Sequence, residues 1–409
     1  MIKKNKTENY LILLCWLIYT CSYIGKLSYN ANINQIRIQF DMTYQQTGTV
    51  TTFFFFAYGI GQVLNGLFCK RYNIKYTIFT SLVVSSILNV LLVTINDTSI
   101  FKFIWLLNGV SMSFLWTSLI RLLSETISKA KIGRAIVVMG TTVATGTFLV
   151  YSLSALFVAV LDYRFTFYTA ATLMLIVSFV WFINYNSAVD HLLEKKKEEA
   201  LVMPSQVEER NVNFHLGIFF IILALFATAN NFTKDGLTVW TPDILDALYN
   251  TPEWLSILLT LFLPMFGICG TILVVKLHKN IKNFIVLCTL MYGMSTILLL
   301  MVILFINKNM IPITIGSFAL IACLMAGVNN IITSMIPLEM NEKVNSGKLA
   351  GLLNGFCYLG STLSAYGLGT VADLYGWSAV FSTLLIILIS VCLIGVIYII
   401  LKYKRGSYL

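Results

Sequence analysis

The chain has 409 residues, of which 58% are hydrophobic and 11% charged, with a mean hydropathy of +0.82 and a formal charge of +10. Soluble domains average about 25% charged residues, so a water-soluble enzyme is excluded, and the short polar remainder leaves no room for an ATPase or kinase domain. Six prolines and 25 glycines exclude a fibrous or low-complexity protein.

Unbroken apolar stretches fall near residues 9–30, 44–69, 76–96, 101–122, 134–160, 165–185, 214–236, 253–276, 283–306, 312–336, 348–370 and 378–401. A membrane-spanning helix needs about 20 such residues, so the reading is an all-α integral membrane protein with twelve transmembrane helices. The first stretch follows KKNK, runs past the length of a signal-peptide core and shows no A-x-A site, which marks a retained helix.

Of the 28 Lys and Arg, 22 fall in the two tails and the even-numbered connections, and four (Arg37, Lys102, Arg164 and Lys308) in the odd-numbered ones. That asymmetry is the positive-inside signature and predicts both termini in the cytoplasm of a multi-pass protein in the plasma or inner membrane. The basic balance therefore reports topology and contact with anionic lipid, not nucleic acid. Two cations are left over, Lys26 and Lys234, both within or beside apolar segments.

The stretch 186–213 is the one long polar connector and divides the chain into six segments on each side. The expected organisation is an N-terminal half over 1–185, a cytoplasmic linker over 186–213 and a C-terminal half over 214–409. The halves echo one another. Lys26 is followed 33 residues later by Gly59 in YGIG, and Lys234 is followed 33 residues later by Gly267 in FGICG. Repeated helical halves are the building plan of alternating-access carriers, whose substrate site lies between them near the bilayer midplane.

A lysine at the centre of a spanning helix costs roughly 2.5–3.5 kcal/mol on insertion scales, so two at repeat-related places call for a shared reason. The bland readings are snorkelling to the headgroups and, for Lys234, an ion pair with the adjacent Asp235. The functional reading is an anion clamp, in which two ammonium groups meet a phosphate or carboxylate between the halves. Helical spacing places Tyr19, Tyr23, Lys26 and Asn30 on one face. Polar content nominates helices 1, 4, 7 and 10, with parts of 2, 5, 8 and 11, as cavity lining. No other acid is expected in mid-helix, which leaves a proton relay poorly supplied and makes exchange of one anion for another the economical mechanism. The eight cysteines form no CxxC pair and no HExxH is present, so neither metal nor cofactor is expected.

Several motifs, in order, resemble the major facilitator superfamily and, more narrowly, its organophosphate:phosphate antiporters of the glycerol-3-phosphate and hexose-phosphate type. GLFCKRYNIK (66–75) is similar to the superfamily's loop signature, with Lys70 where that signature has Asp and Asn73 as in this family's variant. GVSMSFLWTSLIR keeps Gly109, Trp116 and Arg121 at family spacing; KDGLTVWTP (234–242), GICGTIL (267–273) and GLGTVADLYGW (367–377) resemble further family runs. The resemblance implies two six-helix halves and a secondary transporter, not an enzyme, that exchanges a small phosphorylated organic anion for inorganic phosphate as a monomer. It sets Lys26 and Lys234 where the family has two substrate-binding arginines, and Tyr19, Tyr23, Trp116 and Tyr358 where it has cavity aromatics. Gln62 replaces a family lysine, and Val143 falls near the place of a family histidine. With Gln62, Asn329, Asn330 and Asn354 as amides, the expected cavity is less charged than the family's and suits a monoanion or a hydroxyl-rich sugar phosphate. The alternatives are a proton-coupled transporter of another solute and a transporter-like membrane sensor of phosphorylated sugars.

Overall fold

The computed structural model describes residues 2–68, 71–202, 217–305, 310–340 and 346–404. Its elements, in order, are α1 (Ile2–Ala31), the short α2 (Ile33–Gln39), α3 (Tyr44–Phe68), α4 (Ile74–Thr94), α5 (Thr98–Thr126), α6 (Lys129–Val160), α7 (Arg164–Val202) and α8 (Ile218–Tyr249). There follow α9 (Glu253–Thr260), α10 (Phe262–His278), α11 (Phe284–Phe305), α12 (Ile311–Asn330), a π-helical turn (Ile331–Met335), α13 (Ile336–Glu339) and α14 (Ser346–Lys404).

Among the described residues, ten helices are long and apolar enough to cross a membrane. The last of these, in α14, is two spans joined at Gly376, whose φ of 76° is open to glycine without a Cβ penalty. The twelfth span is α3, which is long enough at 25 residues but more polar, carrying Thr47, Thr49, Thr51, Thr52, Gln62 and Asn65. It packs against α5 and α14 instead of lying mainly against lipid.

The two halves repeat one packing scheme. The contacts α1 with α6, α3 with α5 and α4 with α7 in the first half correspond to α8 with α14, α10 with α12 and α11 with α14 in the second. Glycines carry the correspondence to atomic detail. Gly146 lets α6 press on the Thr20 carbonyl of α1, and Gly360 lets α14 press on the Thr228 carbonyl of α8. The separation of Thr20 from Thr228 is the same as that of Lys26 from Lys234. Small residues at crossings are how membrane helices gain close backbone packing without a hydrophobic drive between them.

The seventh span extends well beyond the stretch read from hydropathy. Lys234, Asp235 and Pro242 look like a segment end, yet α8 continues to Tyr249 with Pro242 inside it. Thr238 and Thr241 hydroxyls donate to the carbonyls of Lys234 and Leu237 at 2.8 and 2.6 Å, so both are satisfied within the helix beside the proline. This overturns the expectation that Asp243 and Asp246 lie in a loop. Likewise α7 runs into the polar connector as far as Val202, and the rest of that connector, 203–213, lies outside the described residues.

Candidate functional site

Lys26 sits five residues before the end of α1 with only 6% of its surface exposed. Among the described residues it forms no ion pair. Its ammonium lies instead against aromatic faces: Tyr58 at 3.8 Å, Tyr23 at 4.9 Å, Tyr358 at 5.6 Å and Phe54 at 6.0 Å from the ring centroids. Such faces carry negative quadrupole charge and hold a desolvated cation with about 2 kcal/mol or more. Three of these rings come from the first half and Tyr358 comes from the second, so the box closes across the interface. Tyr358 meets Tyr58 with ring centroids 4.9 Å apart and planes tilted by 60°, and Gly59 leaves room for its Cβ.

The remaining first-half aromatics continue the wall. Tyr19 meets Trp116 at 4.7 Å and Tyr23 at 5.3 Å, and its hydroxyl lies 3.5 Å from that of Tyr58. The structure thus brings together Tyr19, Tyr23, Lys26, Trp116 and Tyr358, all singled out from the sequence. It adds Tyr58, which stands beside Gly59 in the repeated YGIG motif, where only the glycine attracts notice.

Lys234 has a different setting. Its ammonium is 3.3 Å from Asp235 Oδ1, with the two side chains 27% and 19% exposed. The other carboxylate oxygen accepts hydrogen bonds from Asn231 Nδ2 at 3.0 Å and Ser361 Oγ at 2.5 Å. The two lysines are therefore not an unpaired couple: one is matched by a carboxylate on its own helix and the other is not. Lys26 reaches the Tyr358 ring and Asp235 the Ser361 hydroxyl one turn further along α14, which places the two lysines around one centre.

Gln62 donates to the Ser113 carbonyl at 3.3 Å and so ties α3 to α5. Asn330 is half-buried where α12 gives way to the π-helical turn. Neither Gln62 nor Asn330 contacts Lys26 or Lys234 among the interactions described. Asn30 accepts from Thr51 at 3.0 Å, a bond between α1 and α3.

A second constellation lies on the face opposite the chain ends, and sequence reasoning missed it. Arg37 of α2 donates to Asp243 Oδ1 of α8 at 2.9 Å and lies 3.8 Å from Asp246; Asp243 is fully buried. Burial works against the guanidinium charge, but Asp243, Tyr44 and Asp246 outweigh it and raise the Arg37 pKa above its ordinary value. Asn34 and Gln35 donate to Asp246 and Glu253, each at 3.3 Å. The backbone N–H groups of Tyr44 and Gln45, at the start of α3, donate to the Asp373 carboxylate of α14 at 2.9 and 2.6 Å. One half thus caps a helix of the other. Behind these bonds Tyr44, Trp240 and Trp377 form an aromatic triad, and Gly48 and Gly369 let α3 and α14 touch backbone to backbone. Seven hydrogen bonds that cross between the halves gather here, all from residues 34–52 of the first half.

The Major Facilitator Superfamily model matches residues 15–346. The chain belongs to the Major Facilitator Superfamily. It is a multi-pass membrane transporter of that superfamily, not an enzyme. It is 21% identical over 367 residues to the "Probable hexose phosphate transport protein" of Chlamydia muridarum, an alignment covering 83% of this chain and 79% of that one. It is 26% identical over 102 residues to the "Membrane sensor protein UhpC" of Escherichia coli, covering 25% and 23% of the two chains. Among solved structures, a bacterial homolog of the human lysosomal transporter Spinster superposes with a TM-score of 0.75 at 13% identity over 95% of this chain and 96% of that one. The nucleoside transporter NupG gives 0.72 at 12% identity over 95% and 98%. These two likenesses establish the fold.

Proposed function

We propose that this superfamily member is a secondary active transporter of a small organic anion, a phosphorylated metabolite by preference, which it exchanges for inorganic phosphate by alternating access. The observation that carries the reading is the Lys26 ammonium. It is buried without a carboxylate and boxed by tyrosines from both halves. A buried cation of this kind inside a membrane protein marks a substrate pathway, and the chemistry it lacks is an anion. The similarity to a protein named for hexose phosphate transport supports phosphate as the anionic group.

Lys26 and Lys234 are the binding cations in this proposal, and Tyr19, Tyr23, Trp116 and Tyr358 shape the cavity, with Gln62 and Asn330 at its margins. The halves are residues 1–185 and 214–409, joined by the 186–213 connector. With both termini cytoplasmic, as the distribution of Lys and Arg favours, the face sealed by Arg37 and Asp243 is the outer one, and the empty carrier is closed to the outside. Anion binding at the centre then acts on the equilibrium between two arrangements of the halves.

Counterflow in proteoliposomes tests this. Vesicles loaded with inorganic phosphate should take up labelled hexose phosphate, and release phosphate in return, without a pH change in the lumen. Uptake that needs a proton gradient and proceeds without internal phosphate would replace exchange by proton coupling. Ligand binding with no flux at all would make the chain a sensor.

A further inference from the structure

Counting charge at the centre gives an uneven sum. Lys26 and Lys234 contribute two positive charges and Asp235 one negative, so the site carries a net single positive charge before any ligand arrives. Asp235 is not an incidental neighbour. Asn231 from its own helix and Ser361 from α14 both donate to one of its oxygens, which aims the other at Lys234. Asn231 Nδ2 also lies 3.1 Å from Ser361 Oγ, so the three groups form a closed set that holds the carboxylate in place.

We propose that Asp235 is a specificity-determining residue that sets the charge of the substrate: the site selects ligands bearing one negative charge, a carboxylate or a singly ionised phosphate ester, over dianions of the same shape. This rests on the organic-anion reading of the same site. A monoanion brings the centre to neutrality. A dianion overshoots by one charge and faces the Asp235 carboxylate within a desolvated space, where like charges are poorly screened. The fixed position of Asp235 matters, because a carboxylate free to swing away would not tax the second charge.

A matched pair of probes isolates the effect: glucuronate, a monoanion, and glucose 6-phosphate, a dianion at pH 8, which differ at one ring substituent. Affinities are measured by ligand-induced thermal stabilisation of the full chain in detergent. Wild type should bind glucuronate at least as tightly as glucose 6-phosphate. Asp235→Asn, whose amide oxygen can still accept from Ser361, should shift the ratio at least tenfold towards the dianion. The double variant Lys234→Met/Asp235→Asn restores a single positive charge and should bring the ratio back, although the pair's geometry is gone. Should Asp235→Asn not fold, Ser361→Ala decides in its place: it frees the carboxylate to swing away and must move the ratio towards the dianion. Ratios within twofold of each other in wild type and Asp235→Asn overturn the proposal and leave the anion reading standing. So does a wild type that prefers the dianion tenfold. A wild type that binds neither probe, inorganic phosphate included as a third, overturns both.

Discussion

The centre of the molecule and the sealed face opposite the chain ends both bring charges of the two halves together, but they balance them in opposite ways. At the sealed face the donors all come from the first half and the acids all from the second: Arg37, Asn34, Gln35 and the N-terminus of α3 meet Asp243, Asp246, Glu253 and Asp373. Each of these acids is met by a donor across the interface. At the centre, Lys234 is answered from its own helix and Lys26 by aromatic rings alone. The sealed face needs no ligand to stay shut, whereas the centre is short of one negative charge. The difference separates two tasks that alternating access requires: a latch that defines the resting state, and a site whose occupancy changes the energy of that state.

The largest effect expected from breaking this contrast is at the latch. Removing Arg37 leaves the Asp243 carboxylate buried without a cation, and breaking such a pair costs about 3–5 kcal/mol. Arg37→Ala should lower the melting temperature and expose the interface. A Thr52→Cys thiol in a cysteine-free background, at a position that now donates to the Thr362 carbonyl, should react faster with a membrane-impermeant reagent added outside. Replacing both partners, Arg37→Met with Asp243→Leu, should recover the melting temperature, since two apolar groups leave no charge unpaired. Unaltered thiol reactivity in Arg37→Ala would mean that the pair stabilises the fold without gating it.

At the centre the corresponding loss should appear in binding and not in folding. Lys26→Ala removes a charge-assisted contact worth about 2–5 kcal/mol when desolvated, or roughly 30- to 5,000-fold in affinity. The empty protein should be no less stable, because a buried cation without an anion has been removed. Lys26→Arg keeps the charge and should retain part of the affinity. An alanine variant that binds inorganic phosphate as wild type does would end the role assigned to Lys26.

The contrast also explains what was legible in the sequence. Twelve spans, the repeat and the two unassigned lysines follow from hydropathy and counting, because lipid imposes apolar length on every helix and penalises every charge. The aromatic wall of Tyr19, Tyr23, Trp116 and Tyr358 followed from helical spacing and family likeness. The latch did not. Arg37 was counted as a loop cation and Asp243 as a loop acid, since Lys234, Asp235 and Pro242 together imitate a helix end. Their partnership spans 206 positions, and no local pattern announces a salt bridge made only when two halves dock. Tyr58 escaped for a related reason: an aromatic in an apolar helix looks like packing until the cation over its face is seen.

A smaller effect should follow from Asp373. It supplies the cap of α3 from the other half, and loss of a helix N-cap costs about 0.5–2 kcal/mol. Asp373→Ala should therefore raise the reactivity of the Thr52→Cys thiol by about 2- to 30-fold, less than Arg37→Ala does. Asp373→Asn keeps an oxygen that accepts from Tyr44 and Gln45 and should change it least. Equal effects of Arg37→Ala and Asp373→Ala would show a latch that fails as one unit, instead of bond by bond.

The smallest expected effect tests whether the rings of the central box act on the charge of Lys26 or merely fill space. Tyr58 is the ring nearest the ammonium, at 3.8 Å, and its hydroxyl lies 3.5 Å from that of Tyr19. Tyr58→Phe keeps the face and should leave the melting temperature nearly unchanged. Tyr58→Leu removes the quadrupole and should destabilise the empty protein by about 0.5–2 kcal/mol through the lost cation–π contact, in addition to the loss of packing. The two contributions separate in a double-mutant cycle. In a Lys26→Met background the packing loss of Tyr58→Leu persists, while the electrostatic share has no cation to act on. The difference between the two backgrounds is the coupling, and it should favour wild type. Identical destabilisation in both backgrounds would reduce the box to packing and leave the buried Lys26 charge without a compensating partner in the empty carrier.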